Sequence, residues 1–138
     1  MKSKVLVLTA AAVAALGSAA STSGASSAVT RIHANLKSTQ TKGVGTFRGV
    51  IRTRKRRLLL QWSISYRRVR STVLRAHIHA KNGKIIVKLC APCGRAAGGV
   101  VTISRAVARQ LRGGSTYVEV HTARIRKGEL RGPVVLGK

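Results

Sequence analysis

Three histidines and one carboxylate hold the most promising chemistry in this chain. His77 and His79 lie in the stretch AHIHA (Ala76–Ala80), and His121 lies in YVEVHT (Tyr117–Thr122). Both stretches have strand-like composition, and residues two apart in a strand point the same way. His77 and His79 therefore share a face with Arg75, while Ala76, Ile78 and Ala80 share the other. In the second stretch Tyr117, Glu119 and His121 fall on one face, and Val118, Val120 and Thr122 on the opposite one. If the two strands are neighbours, three imidazoles and a carboxylate converge. Neutral imidazole nitrogens ligate zinc or copper, and an H-x-H pair with a third histidine is a plausible ligand set. The competing expectation is structural: three histidines bonded to Glu119, Thr122 or the backbone, with no cofactor. His33 stands apart on an earlier strand and is expected at the surface.

Other chemistries find little support. The chain has no Asp, and its two acids are Glu119 and Glu129. A Ser-His-Asp set is therefore impossible, and no nucleophile-elbow or phosphate-binding glycine motif occurs. A two-carboxylate hydrolase would need both glutamates close together. Glu129 and Arg131, two apart, are expected to pair with each other. No catalytic residue is assigned, and the protein is expected not to be an enzyme. Cys90 and Cys93 form a C-x-x-C, which in an exported protein reads as a local disulfide. A redox pair with thiols activated by Lys88 and Arg95 is the alternative, and it lacks the βαβ context such motifs require.

Charge sets the expected partners. Lys and Arg number 27 against 2 acids, for a formal net charge of +25. Such a surface attracts polyanions. Two basic clusters, Arg54, Lys55, Arg56, Arg57 and Arg67, Arg68, Arg70, flank an apolar strand and form a candidate polyanion patch. An anionic cell-envelope polymer, an extracellular protein or nonspecifically bound nucleic acid would suit it. Trp62 and Tyr66 could stack bases, although they fall on the apolar stripe. Charged strand ends also discourage sheet-to-sheet aggregation, which is the blander use of these residues.

The elements that must position these groups are mostly strands. Leu58–Tyr66 alternates, with Leu58, Leu60, Trp62, Ile64 and Tyr66 on one face. Arg31–Lys37, Val44–Arg52, Lys84–Cys90, Gly99–Ser104, Thr116–Thr122 and Glu129–Leu136 complete the set. Turn signals stand at Lys42-Gly43, Asn82-Gly83, Gly98-Gly99, Gly113-Gly114 and Lys127-Gly128. Ser104–Arg112 breaks the alternation: Ser104 suits a helix N-cap, Val107 and Leu111 are one turn apart, and Gly113 suits the end. Ahead of the domain, Lys2 and Lys4 precede the apolar run Val5–Leu16, and small residues follow it. This order reads as a signal peptide with a flexible leader over residues 1–28, cleaved after Ala20 or Ala28. Residues 29–138 then form one secreted or envelope-associated domain, with no transmembrane segment after processing.

The order of H-x-H, an N-G turn, L-C-x-P-C, a short helix, Y-V-x-V-H-T and G-E-x-R-G resembles the chordin-type (CHRD) domain. The form it resembles is the single-domain one of exported microbial proteins. The carrying residues are His77, Ile78, His79; Leu89, Cys90, Pro92, Cys93; Tyr117, Val118, Val120, His121, Thr122; and Gly128, Glu129, Arg131, Gly132. Glu119 and Thr122 sit within the same motif. The likeness covers roughly residues 30–136 and is sharpest in the C-terminal half. It implies a secreted, immunoglobulin-like β architecture; with the short helix read above, the expected fold is an all-β antiparallel β-sandwich with one short helix, and the expected role is that of a binding module. The basic clusters replace small and polar residues expected at those turns.

Overall fold

The structure is a computed structural model, and it describes residues 28–137. The signal-peptide reading falls almost wholly on residues outside that range. Nine strands and one helix form in the order β1 Thr30–Lys37, β2 Val44–Arg54, β3 Arg57–Arg67, β4 Val73–Ala80, β5 Ile85–Cys90, β6 Ala96–Ile103, α1 Arg105–Arg112, β7 Thr116–Thr122, β8 Leu130–Pro133 and β9 Val135–Leu136. The expected all-β class with one short helix holds. The strands do not separate into two sheets, however. They form one nine-stranded antiparallel sheet, ordered β5-β4-β7-β8-β1-β2-β3-β6 with β9 beside β1, that curls into a nearly closed barrel. The halves are joined along β1, where β8 makes the single pair Arg131–Lys37 and β9 adds Leu136–Ile32 and Val135–His33.

Alternation builds the core. Ile32, Ala34 and Leu36 of β1, Phe47 and Ile51 of β2, and Leu60, Trp62 and Ile64 of β3 are buried together with Ala76, Ile78, Val118 and Val120. Burying each large aliphatic side chain is worth about 1.5–3 kcal/mol. Trp62 and Tyr66 belong to this packing, and burial pushes the Tyr66 hydroxyl up to about 12. Trp62 is a core residue, and Tyr66 packs half-buried against the core. Simple alternation along β5 would turn Ile85 inward with Val87, yet Ile85 is exposed, because β5 slips register against β4 between Ile78 and His79.

Two turns differ from expectation. Gly98-Gly99 lies inside β6, opposite Ser63 and Trp62, and a Cβ on Gly99 would press on the Trp62 indole at 3.4 Å. These glycines make room rather than a bend. The real hairpin turn is Lys55-Arg56, joining the paired residues Arg54 and Arg57, with φ of 46° and 64°. Such turns favour Asn-Gly, so two basic residues there give no composition signal. The helix matches its cues: Ser104 Oγ accepts from the Val107 N–H, and Ala108 and Leu111 are buried. Gly113 caps the helix in right-handed geometry, and the left-handed residue is Gly114, at φ 71°.

Candidate functional site

β4 and β7 are neighbours, with His77 opposite Glu119, His79 opposite Tyr117 and Arg75 opposite His121. The three histidines therefore come together, and Glu119 stands beside one of them, His121. One ring nitrogen from each of His77, His79 and His121 lies within 4.8 Å of the others. The rings point away from the main core, since Ala76, Ile78, Val118 and Val120 fill that side. They are nevertheless only 8%, 7% and 7% exposed. Two connections roof them. The β4–β5 turn brings the Gly83 carbonyl 2.8 Å from His79 Nδ1, and the β7–β8 connection brings the Arg126 carbonyl 2.8 Å from His121 Nδ1.

Those contacts settle the tautomers. A carbonyl can only accept, so Nδ1–H donates in both rings, and in the neutral form of each ring Nε2 carries the lone pair. His79 Nε2 and His121 Nε2 are buried with no hydrogen-bond partner, as is His77 Nδ1. Burial, reinforced by the charges of His121, His79, Arg75 and Lys88, lowers the His77 pKa to about 4. It is neutral at physiological pH. Three buried nitrogens without partners are costly unless something fills the space between them. Backbone-oriented imidazoles with free inner nitrogens are also the usual arrangement around a bound metal.

Glu119 completes the face. It is 5% exposed, and its Oε2 accepts two hydrogen bonds from the Arg131 guanidinium, at 2.8 Å from Nε and 2.5 Å from Nη2. Its Oε1 stands 3.4 Å from His121 Nε2. Arg131 also lies over the Tyr117 ring, 4.2 Å from its centroid, and Tyr117 stacks on His79 at 5.0 Å with the planes 3° apart. This stack fixes the His79 ring from the side. The expected Glu129–Arg131 pair does not form, because the strand register sets Arg131 opposite Glu119. Glu129 is instead held by the Thr41 and Thr122 hydroxyls, at 2.9 and 2.7 Å.

The remaining motif residues have steric or structural parts. Gly128 has φ 120°, and a Cβ there would lie 2.7 Å from Glu119 Cδ, so glycine lets the roof close on the carboxylate. A Cβ on Gly132 would meet the Asn35 carbonyl oxygen, so its absence allows β8 to approach β1. Cys90 and Cys93 are joined by a disulfide, with an S–S distance of 2.06 Å, and lie away from the histidines at the end of β5. His33 is half-buried on β1 and takes no part.

The basic clusters are split. Arg54–Arg57 sit at one end of β3 and Arg67, Arg68 and Arg70 at the other, separated by about 35 Å of extended chain. They cannot form one patch. Arg68 and Arg70 instead border a cleft of about 830 Å³ together with Lys42 and Arg124. Composition had marked neither Lys42 nor Arg124, because the cleft is assembled from three separate connections.

An antiparallel β module with a loop-roofed trihistidine face is the class that this geometry defines. The chain belongs to the CHRD domain family, whose match spans residues 7–134. CHRD domains occur in extracellular proteins. Among the described residues no helix is long and apolar enough to cross a membrane. Neither a curated protein nor a solved structure matches the chain.

Proposed function

We propose that this CHRD domain is an exported binding module whose site captures a single zinc or copper ion between His77, His79 and His121. Two observations carry the reading: one ring nitrogen of each histidine lies within 4.8 Å of the others, and each ring has a buried nitrogen without a hydrogen-bond partner. Bonds of about 2.0–2.1 Å to each nitrogen require the rings to draw inward by roughly an ångström. Rotation of His77, the one ring with no backbone hydrogen bond, supplies part of that movement. Binding rather than catalysis fits the carboxylates, since Glu119 is ion-paired and Glu129 has both oxygens tied to threonine hydroxyls. Metal-free protein mixed with zinc or copper(II) and then dialysed should retain one equivalent, and H79A should retain none. A wild-type chain that retains neither metal overturns the reading.

A second reading concerns the anionic envelope polymer. The cleft bounded by Lys42, Arg68, Arg70 and Arg124 favours it, because four cations converge there and the one carboxylate in its lining, Glu129, is tied to threonine hydroxyls. Retention on a heparin column should fall steeply with salt, and R68A/R70A should elute earlier than R54A/R57A. Equal elution of the two variants would reject the cleft as the site.

A further inference from the structure

We propose that Glu119 is the fourth ligand of this site and that its Oε1 closes a four-coordinate centre, three imidazoles and one carboxylate, selective for zinc. The inference rests on the trihistidine reading and deepens it. Glu119 Oε1 and His121 Nε2 face each other at 3.4 Å. The Arg126 carbonyl accepts the His121 Nδ1 proton; Nε2 then meets the carboxylate either as the N–H of an imidazolium or, in the neutral ring, as a lone pair against a lone pair. The neutral pairing is unfavourable unless a cation lies between. Two ligands of a tetrahedral metal with bonds of about 2.0–2.1 Å are themselves separated by about 3.4 Å. The observed spacing is therefore already that of two ligands on one ion.

The carboxylate is built for this use. Both hydrogen bonds from Arg131 fall on Oε2, which leaves Oε1 directed at His121 among the described residues. Glu119 can bind through Oε1 while Arg131 keeps Oε2, so no ion pair has to break. His77 lies directly across the strand pair from Glu119, which places a third ligand on the same side. Gly128 moulds the roof against the carboxylate and limits its rotation. Electrostatics point the same way. The chain carries a net charge of +25 with two acids in all, and a dication held by neutral imidazoles alone would meet unopposed repulsion. Glu119 supplies the negative charge at that spot. A tetrahedral set of three nitrogens and one carboxylate oxygen suits zinc, whereas copper(II) prefers tetragonal geometry. With four protein ligands the centre is closed, as in structural zinc sites, and has no position for substrate.

Two measurements test this. Cobalt(II) added to the purified metal-free chain should give the intense visible bands of a tetrahedral site. E119Q should lose that intensity and weaken zinc binding by at least about tenfold, whereas E129Q, which leaves Glu119 and its Arg131 partner in place, should retain the bands. Because the chain has only two glutamates, protein labelled with carboxyl-13C glutamate shows two side-chain signals, and E129Q assigns them. One equivalent of zinc should shift the Glu119 signal and leave Glu129 in place. This readout serves even if E119Q fails to fold. A wild-type chain that binds no zinc defeats the trihistidine reading itself. Stoichiometric zinc binding with an unmoved Glu119 signal defeats this inference alone.

Discussion

β3 and β7 are antiparallel strands of one sheet, yet they treat their outer faces differently. In β3 buried Leu60, Trp62 and Ile64 alternate with exposed Gln61, Ser63 and Ser65. In β7 every residue from Val118 to Thr122 is buried, Glu119 and His121 included. The β3 half spends its second face on solvent. The β7 half covers that face with the connections at Gly83 and Arg126, so that charged and titratable groups lie under a roof. Enclosing polar groups without full hydrogen bonding opposes folding. The half that tolerates this cost is the half where a ligand would repay it.

The sharpest way to break the contrast is to remove the imidazoles. H79A and H121A should each abolish retention of zinc or copper, measured as metal content after dialysis, while R68A/R70A should leave it unchanged. Next in size is the roof. G128A places a methyl group against the Glu119 carboxylate at a positive φ and should cost about 2–3 kcal/mol in denaturant unfolding. A substitution on the open outer face of β3, such as S63T, should cost less than about 0.5 kcal/mol.

Acid should also distinguish the halves. The folded chain keeps His77 neutral down to about 4, whereas an unperturbed histidine takes up its proton near 6.5. Between those values the unfolded chain binds more protons, so metal-free protein loses stability as pH falls from about 6.5 to about 4. H77Q should flatten that limb of a melting-temperature profile. A modest gain is expected in the open half. K55N/R56G puts turn-compatible residues at φ 46° and 64° and should stabilise by about 1 kcal/mol, read as a higher denaturant midpoint.

Period-two patterning made most strands readable, and β7 begins and ends where the alternation predicted. It also foretold that the histidines and Glu119 share a face, because that follows from strand geometry alone. Three things were hidden, each for its own reason. The Lys55-Arg56 turn uses residues with no turn preference. Gly98-Gly99 imitates a turn while making space for Trp62. The Arg131 partnership depends on which strands lie side by side, and local spacing favoured Glu129 instead. Nor could side-chain patterns reveal that the backbone carbonyls of Gly83 and Arg126 orient two of the imidazoles. The single continuous sheet depends on a few long-range pairs with β1, one of them from β8, too slight to leave a trace in composition.

The pair from β8 is made by Arg131. Its main chain joins β8 to β1, and its guanidinium grips Glu119. One residue thus serves as both rivet and clasp: loosening the β8–β1 pair would also slacken the carboxylate, and an ion held by the carboxylate would draw that pair tight.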